Sequence, residues 1–133
     1  GETSSATDPA PKTPVAAAPS SGPIGADTPG GKIYLQVCAA CHMPNGTGVS
    51  GMQPALAGSA IVAGDPDRLI DVVLKGPAAV LASDRQKFPL SMPPFGAVYN
   101  DADLAGILTF IRKNFAAGAS DVTASQVAAR RAK

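Results

Sequence analysis

Residues 38–42 read Cys38-Ala39-Ala40-Cys41-His42, and this stretch limits what the rest of the chain can be. Two thiols three positions apart can add to the two vinyl groups of one porphyrin. The imidazole that follows directly can then be presented to one face of the iron. The pentapeptide therefore predicts a single covalently bound haem c, with Cys38 and Cys41 as attachment points and His42 as an iron ligand.

Other uses of a C-x-x-C pair find little support in the sequence. A thioredoxin-like dithiol needs a βαβ context, and no run of alternating β-branched residues flanks the motif. A structural zinc site takes four Cys or His ligands, whereas the chain holds 2 Cys and 1 His. A disulfide between cysteines so close in sequence would restrict the unfolded chain very little.

The second axial ligand must be something other than histidine, because His42 is the only one. Met43 is adjacent to His42 and cannot reach the other face of a porphyrin, and Met52 lies in a glycine-rich loop. Met92 lies about fifty residues beyond His42, and the prolines that follow it favour a stiff, non-helical loop. A methionine that fills a gap in the core is the alternative. Met92 is thus the predicted partner of His42 in a Met/His centre, the usual arrangement for electron transfer.

Composition indicates one small domain with tails. The 133 residues include 5% aromatics and no tryptophan, so the core would be thin unless a porphyrin enlarged it. A net charge of +1, with acids and bases interspersed, argues against nucleic acid and anionic membranes as partners. No apolar run approaches the length of a transmembrane helix, and no secretory signal follows Gly1, which predicts a mature or trimmed form.

Three segments are expected along the chain. Residues 1–29 are rich in Pro, Ala, Ser and Thr and are predicted to be disordered, either as a linker from a membrane anchor or upstream domain or as a tail without a role. Residues 30–118 are predicted to form the domain. Residues 119–133 form an extension in which a capping box, Thr123 to Gln126, starts a short helix through Val127 that needs docking to be stable.

Capping signals and hydrophobic periodicity predict an all-α fold of about four to five short helices packed around the haem. Between the first two helices, residues 43–64 contain five glycines and are expected to pass close to the porphyrin. The predicted helices run from about Lys32 to Ala40, from Asp65-Pro66 to Gly76, across Ala78–Ala82, and from Ala102 to Phe115.

Residues 30–116 resemble a class I mono-haem cytochrome c of the bacterial periplasmic type. The resemblance is carried by Cys38-x-x-Cys41-His42, Gln53-Pro54-Ala55-Leu56-Ala57-Gly58, Met92-Pro93-Pro94-Phe95 and the helix end Leu108-Thr109-Phe110-Ile111-Arg112. Such cytochromes occur as subunits or domains of alcohol, sugar or aldehyde dehydrogenases.

The resemblance implies roles for further residues. The carbonyl of Pro54 would accept a hydrogen bond from the proximal imidazole, and Leu56 would pack on the haem face. The first helix would cross the last through Gly30 or Gly31 with Tyr34, against Phe110. An exposed haem edge would be bordered by Ala39, Ala40, Met43, Pro44, Pro93 and Pro94, and the propionate ligands are sought among Arg85, Lys87, Tyr99 and Arg112.

The expected function is that of an electron-transfer protein, not an enzyme, which shuttles single electrons between periplasmic redox partners such as a dehydrogenase, a reductase or a terminal oxidase. The first alternative is a cytochrome domain or subunit of a larger dehydrogenase or reductase. A less favoured alternative is a haem enzyme or sensor with an open distal site. The expected location is the bacterial periplasm, as a monomer, with a membrane tether in the full-length form.

Overall fold

The computed structural model describes residues 23–81 and 92–133, and within them the predicted all-α fold is confirmed. Three of the helical segments follow one another without a break, so the described chain has six helical stretches, one more than expected. The segments are α1 (Pro29–Ile33), a π-helical turn (Tyr34–Cys38), α2 (Ala39–His42), α3 (Ala60–Ala63), α4 (Pro66–Lys75), α5 (Pro77–Val80), α6 (Asp101–Phe115) and α7 (Ala124–Arg131). Residues 1–22, most of the predicted tail, lie outside the described part.

The helices with clear caps begin where the sequence predicts. The Asp65 side chain accepts a hydrogen bond from the backbone N–H of Asp67 at the start of α4, and Asn100 caps α6 in the same way. Gly76 ends α4 at φ +88°, a conformation that glycine adopts without a steric penalty. The capping box of Thr123 and Gln126 is formed, and α7 continues four residues beyond Val127 to Arg131.

The first helix begins three residues before its predicted start. Thr28 caps it by accepting a hydrogen bond from the N–H of Gly31, and Pro29 occupies the first helical position. Upstream, the backbone of Ile24 exchanges two hydrogen bonds with the Asn114 side chain, at 2.7 and 2.8 Å. Contacts with α6 therefore start before the predicted domain boundary at residue 30.

Helices α1 and α6 cross at backbone distance. A Cβ atom on Gly30 would lie 2.1 Å from the carbonyl carbon of Gly106, so the crossing requires glycine there. Beside it, the Tyr34 ring lies 5.1 Å from that of Phe110 and 5.6 Å from that of Phe115, centroid to centroid. These three rings, here called the aromatic cluster, match the expected contact of Tyr34 with Phe110 and add Phe115 to it.

Apolar faces of α4 and α6 form most of the core, as their periodicity predicts. The buried residues include Leu69, Ile70, Val73 and Leu74 of α4, and Leu104, Ile107, Leu108 and Ile111 of α6. Helix α7 packs against both, with Val127 fully buried, so the C-terminal segment docks. No helix in the described residues is both long and apolar enough to cross a bilayer.

One expectation is wrong. Ala39 is only 7% exposed and belongs to the core, so it cannot border an exposed haem edge, although Ala40 and Pro44 are exposed. The loop of residues 43–64 passes beside the cavity described below, as expected, but none of its glycines lines that cavity. Gly48 is required because the loop folds back on itself at this residue. A Cβ on Gly48 would lie 2.6 Å from the carbonyl oxygens of Gln53 and Pro54.

Candidate functional site

One cavity of about 360 Å³ lies among α4, α6 and the loops that follow α2 and precede α6, within the size range of small-molecule and cofactor sites. Apolar side chains dominate its wall, and no Asp, Glu, Lys or Arg is among the described lining residues. All six predicted site residues line it: Cys38, Cys41, His42, Pro54, Leu56 and Met92. The other lining residues are Val37, Gln53, Ala55, Ser59, Ile61, Val62, Leu69, Val72, Val73, Pro77, Ala78, Leu81, Pro93, Phe95, Tyr99, Leu104, Ile107 and Ile111.

His42 is the last residue of α2, and its ring is held by the loop that follows. The Nδ1 atom lies 2.9 Å from the carbonyl oxygen of Pro54, which can only accept, so Nδ1 carries the proton. The backbone N–H of Gly48 donates to the His42 carbonyl at 3.0 Å, which fixes the loop on the same residue. This arrangement leaves Nε2 as the nitrogen with a free lone pair, as a metal ligand requires.

The chain turns sharply after His42, and Tyr34 holds the turn. Met43 has a φ of +68°, which is uncommon for a residue with a side chain. Its carbonyl accepts a hydrogen bond of 2.8 Å from the Tyr34 hydroxyl. Burial raises the pKa of Tyr34, with a smaller contribution from nearby Cys38. The aromatic cluster and the turn beside the site therefore share one side chain.

The two cysteines differ in their surroundings. Cys38, in the π-helical turn, is half-buried, and Cys41 in α2 is exposed. Burial raises the pKa of the Cys38 thiol to about 11, so it is a neutral, apolar-embedded group near neutral pH. The pair thus extends from the interior of the cavity to its rim. The described residues contain no group of three or more His, Cys, Asp or Glu that could hold a metal ion.

Met92 is the methionine that faces this cavity. All three methionines are described, and neither Met43 nor Met52 lines the cavity. Met52 is 43% exposed in the loop that leads away from His42. Met92 opens the Met92 segment, defined here as residues 92–100, which runs without helix to α6. Its start is tied to α4 by hydrogen bonds from the N–H of Phe95 to Val73 (2.9 Å) and of Gly96 to Leu74 (3.2 Å).

Arg112 is an unusual member of α6. The sequence places it in the last turn of the helix, where arginines are normally solvated, yet it is only 4% exposed. Its Nη2 donates to the carbonyl of Gly64 at 3.3 Å, while Nε and Nη1 have no hydrogen-bond partner. Among the described residues no carboxylate pairs with it, so the guanidinium suits an anionic group. The preceding residue, Ile111, lines the cavity. Of the other propionate candidates, Tyr99 lines the cavity, and Arg85 and Lys87 lie outside the described residues.

Comparison with known proteins places this arrangement in a family. The family described as "Cytochrome C oxidase, cbb3-type, subunit III" matches residues 25–111, well over half of the chain. The chain belongs to this family of cytochrome c domains. Membership implies a covalently attached haem and a role in electron transfer, and the pair Cys38 and Cys41 is consistent with that attachment.

Curated relatives of this cytochrome c domain are cytochrome subunits of dehydrogenases. It is 35% identical over 105 residues to "Alcohol dehydrogenase (quinone), cytochrome c subunit" of Gluconobacter oxydans (strain 621H). The matched region covers 77% of this chain and 22% of that protein. It is 36% identical over 105 residues to "Gluconate 2-dehydrogenase cytochrome c subunit" of Pantoea cypripedii, covering 77% and 24%. The chain therefore spans less than a quarter of the length of these relatives.

The residues of this cytochrome domain fit the haem that the family implies. The cavity offers an apolar wall for a macrocycle, two thiols, an imidazole with Nε2 free and a thioether sulfur. Sequence reasoning missed the part of the wall that α3 supplies through Ile61 and Val62, because α3 has four residues and too little periodicity to detect. Its one signal was Ser59, whose side chain caps it.

Proposed function

We propose that this chain is the electron-transferring cytochrome c part of a larger dehydrogenase or reductase, carrying one haem with His42 and Met92 as axial ligands. The observation that supports it most is the shared cavity, which brings together the two cysteines, the single histidine and one of three methionines. A separate shuttle between periplasmic redox proteins is the second candidate.

The haem would supply an iron that alternates between the ferric and ferrous states. The chain would hold and tune it. Cys38 and Cys41 anchor the macrocycle, and the Pro54 carbonyl fixes the tautomer and orientation of the His42 ring. Leu56 contributes to the apolar wall. The Met92 sulfur, a soft ligand, favours the ferrous state and so raises the reduction potential.

We propose that Arg112, which follows the lining residue Ile111 but is not itself part of the described wall, binds one haem propionate. A buried guanidinium with two unpartnered nitrogens is costly unless an anion compensates it. A carboxylate could accept a hydrogen bond from Nε or from Nη1, the two nitrogens that have no partner.

The lining of the cavity supports electron transfer over catalysis at the iron. Apart from the cysteines and His42, the titratable side chain among the described lining residues is Tyr99. A peroxidase or a gas sensor needs an open distal site, and a peroxidase also needs an acid–base group there. Met92 would occupy that site in this protein.

Location and assembly follow from the same proposal. Covalent haem attachment of this kind takes place outside the cytoplasm in bacteria, so we place the domain in the periplasm. We assign residues 30–118 to the domain, together with residues 24–29, which contact α6 or start α1. We assign the residues before them to a tether from a membrane anchor or an upstream domain, and residues 119–133 to an extension. The electron donor is then a dehydrogenase portion of the same complex, as the names of the relatives suggest.

A redox-titrated visible spectrum of the haem-loaded protein tests the ligation. Wild type should show the red absorption band of methionine bound to ferric iron. Met92→Ala should lose the band and lower the reduction potential on the order of 0.1 V, a fraction of the roughly 0.8 V that axial ligands span. Met52→Ala is the matched control, because Met52 is 43% exposed and lies outside the cavity. A wild type without the band, or a Met92→Ala variant that keeps it, would overturn the proposed ligation.

Copurification from the native host separates the two candidate roles. A subunit or domain should elute with a dehydrogenase in a fixed ratio after extraction in detergent. Elution of the haem protein alone, with the dehydrogenase recovered separately and active towards the haem protein, would favour the shuttle.

A further inference from the structure

Helix α7 lies beyond the residues that match the family, and it ends in two consecutive arginines that bind different parts of the domain. Arg130 binds α4: its Nε and Nη2 donate to the two carboxylate oxygens of Asp71, at 2.9 and 2.6 Å. Asp67 lies 3.9 Å from the Nη1 atom of the same side chain. Arg130 thus fastens one helix to another.

Arg131 binds the end of the Met92 segment instead. Its Nη1 donates to the carbonyl of Gly96, its Nη2 to the carbonyl of Tyr99 at 2.9 Å, and its Nε to Asp101 at 2.7 Å. One guanidinium therefore joins three positions in the six residues that lead into α6. The Gly96 and Tyr99 carbonyls lie outside any helix, so this side chain supplies a bond that the local backbone does not.

The Met92 segment is then fixed from two sides. Its start is tied to α4 by the N–H groups of Phe95 and Gly96, and the Phe95 ring lies 6.1 Å from that of Tyr99. Its end is tied to α7 by Arg131. Both Phe95 and Tyr99 also line the cavity beside Met92. Movement of either carbonyl that Arg131 holds would therefore shift residues that pack in the cavity with the methionine.

We propose that Arg131 is a positioning residue for Met92. By holding the segment against α7, it sets how firmly the methionine sulfur competes for its place on the iron. This inference rests on the proposed ligation by His42 and Met92. It gives α7 a role in the electronic properties of the site, although α7 is distant from Met92 in the sequence.

Competition with added imidazole measures the effect on haem-loaded, ferric protein. Imidazole displaces a weakly held methionine, and the loss of the red band reports the displacement. Arg131→Ala should bind imidazole about tenfold more tightly than wild type, because hydrogen bonds that hold the segment are lost. Arg131→Lys keeps the charge and can donate to one carbonyl, so it should lie between the two.

Arg130→Ala is the matched control, since it removes the same charge from the adjacent residue of the same helix. It should lower the thermal unfolding midpoint as much as Arg131→Ala while leaving the imidazole affinity at the wild-type value. Equal imidazole affinity in wild type, Arg131→Ala and Arg131→Lys would overturn the inference. The red band of the wild type would in that case still support ligation by His42 and Met92. An Arg130→Ala variant that binds imidazole as tightly as Arg131→Ala would also overturn it. A wild type without the band would overturn both.

Discussion

The two faces of α6 are packed against very different partners. On one face, Gly106 meets the backbone of α1 and Phe110 joins the aromatic cluster, so protein fills the space completely. On the other, Leu104, Ile107 and Ile111 form part of the cavity wall. The first face is stabilised by contacts that the chain makes with itself. The second depends on what the chain binds, so one helix couples the folding of the domain to its cofactor.

Loss of haem attachment should have the largest effect, because it removes the partner of the cavity face. Without the haem, the apolar wall of this cavity would face water or collapse. A small domain has only about 5–15 kcal/mol of stability to lose. Haem-free Cys38→Ser/Cys41→Ser protein should therefore lose cooperative thermal unfolding, and amide hydrogen exchange should become fast on both faces of α6.

The control for this experiment is the haem-loaded Met52→Ala variant, which keeps both attachment points. If the haem-free double variant unfolds cooperatively with near-native stability, side chains close the cavity by themselves, and the contrast between the two faces of α6 disappears.

On the other face of α6, a single added methyl group should disrupt the packing against α1. Gly30→Ala puts a Cβ 2.1 Å from the carbonyl carbon of Gly106, a contact between backbones that no side-chain rotation relieves. We expect a loss of about 3 kcal/mol or more in the free energy of unfolding, at the upper end of the range for overpacked cores. Denaturant-induced unfolding of the haem-loaded protein measures it.

Gly106→Ala is the matched control for Gly30→Ala. A Cβ on Gly106 would lie 3.3 Å from the Cα of Gly30, which a small shift can relieve. Alanine gains about 1 kcal/mol of helix propensity over glycine at either position, so the net change at Gly106 should be within about 1 kcal/mol of wild type. Equal losses at the two glycines would show that the crossing is looser than its geometry indicates.

Tyr34→Phe should have the smallest of these effects. Tyr34 joins the aromatic cluster to the turn at Met43 beside the cavity. The ring stays in the aromatic cluster, but the hydrogen bond to the Met43 carbonyl is lost, at a cost of about 1–2 kcal/mol near pH 7. Because burial raises the pKa of Tyr34 in the folded protein, the unfolded chain deprotonates first as the pH rises. Wild-type stability should therefore fall from about pH 10 upwards, where free tyrosine titrates.

The pH dependence separates Tyr34 from a general loss of packing. The difference in unfolding free energy between wild type and Tyr34→Phe should shrink above pH 10. A constant difference between wild type and Tyr34→Phe up to pH 11 would contradict the assignment.

Local signals in the sequence were enough to predict α4, α6 and the start of α7, because Asp65, Asn100 and Thr123 act on residues two or three positions away. The single histidine and the position of Met92 beyond it were enough to select two of the residues that line the cavity. Tertiary contacts decided the rest. Arg112, for example, looks like a solvated cap until the Gly64 carbonyl after α3 meets it.

The resemblance to a known family contributed what spacing alone did not. It supplied the prediction that Pro54 would meet His42, and the structure shows their contact. It did not indicate that Gly106 inside a helix would form a crossing, or that Arg131 would reach a loop 35 residues earlier. Such contacts join distant parts of the chain through single side chains, and they leave no periodic trace in the sequence.

The π-helical turn between α1 and α2 has an evolutionary consequence. In an α-helix, residues four apart share a face, but here the N–H of Ala39 donates to the carbonyl of Tyr34, five residues back. Tyr34 therefore faces the aromatic cluster while Cys38 faces the cavity. Such a turn holds one residue more than an α-helical turn. Loss of a single codon at Gln36 would restore α-helical register and rotate the entire attachment motif away from the site, although no residue of the motif itself had changed.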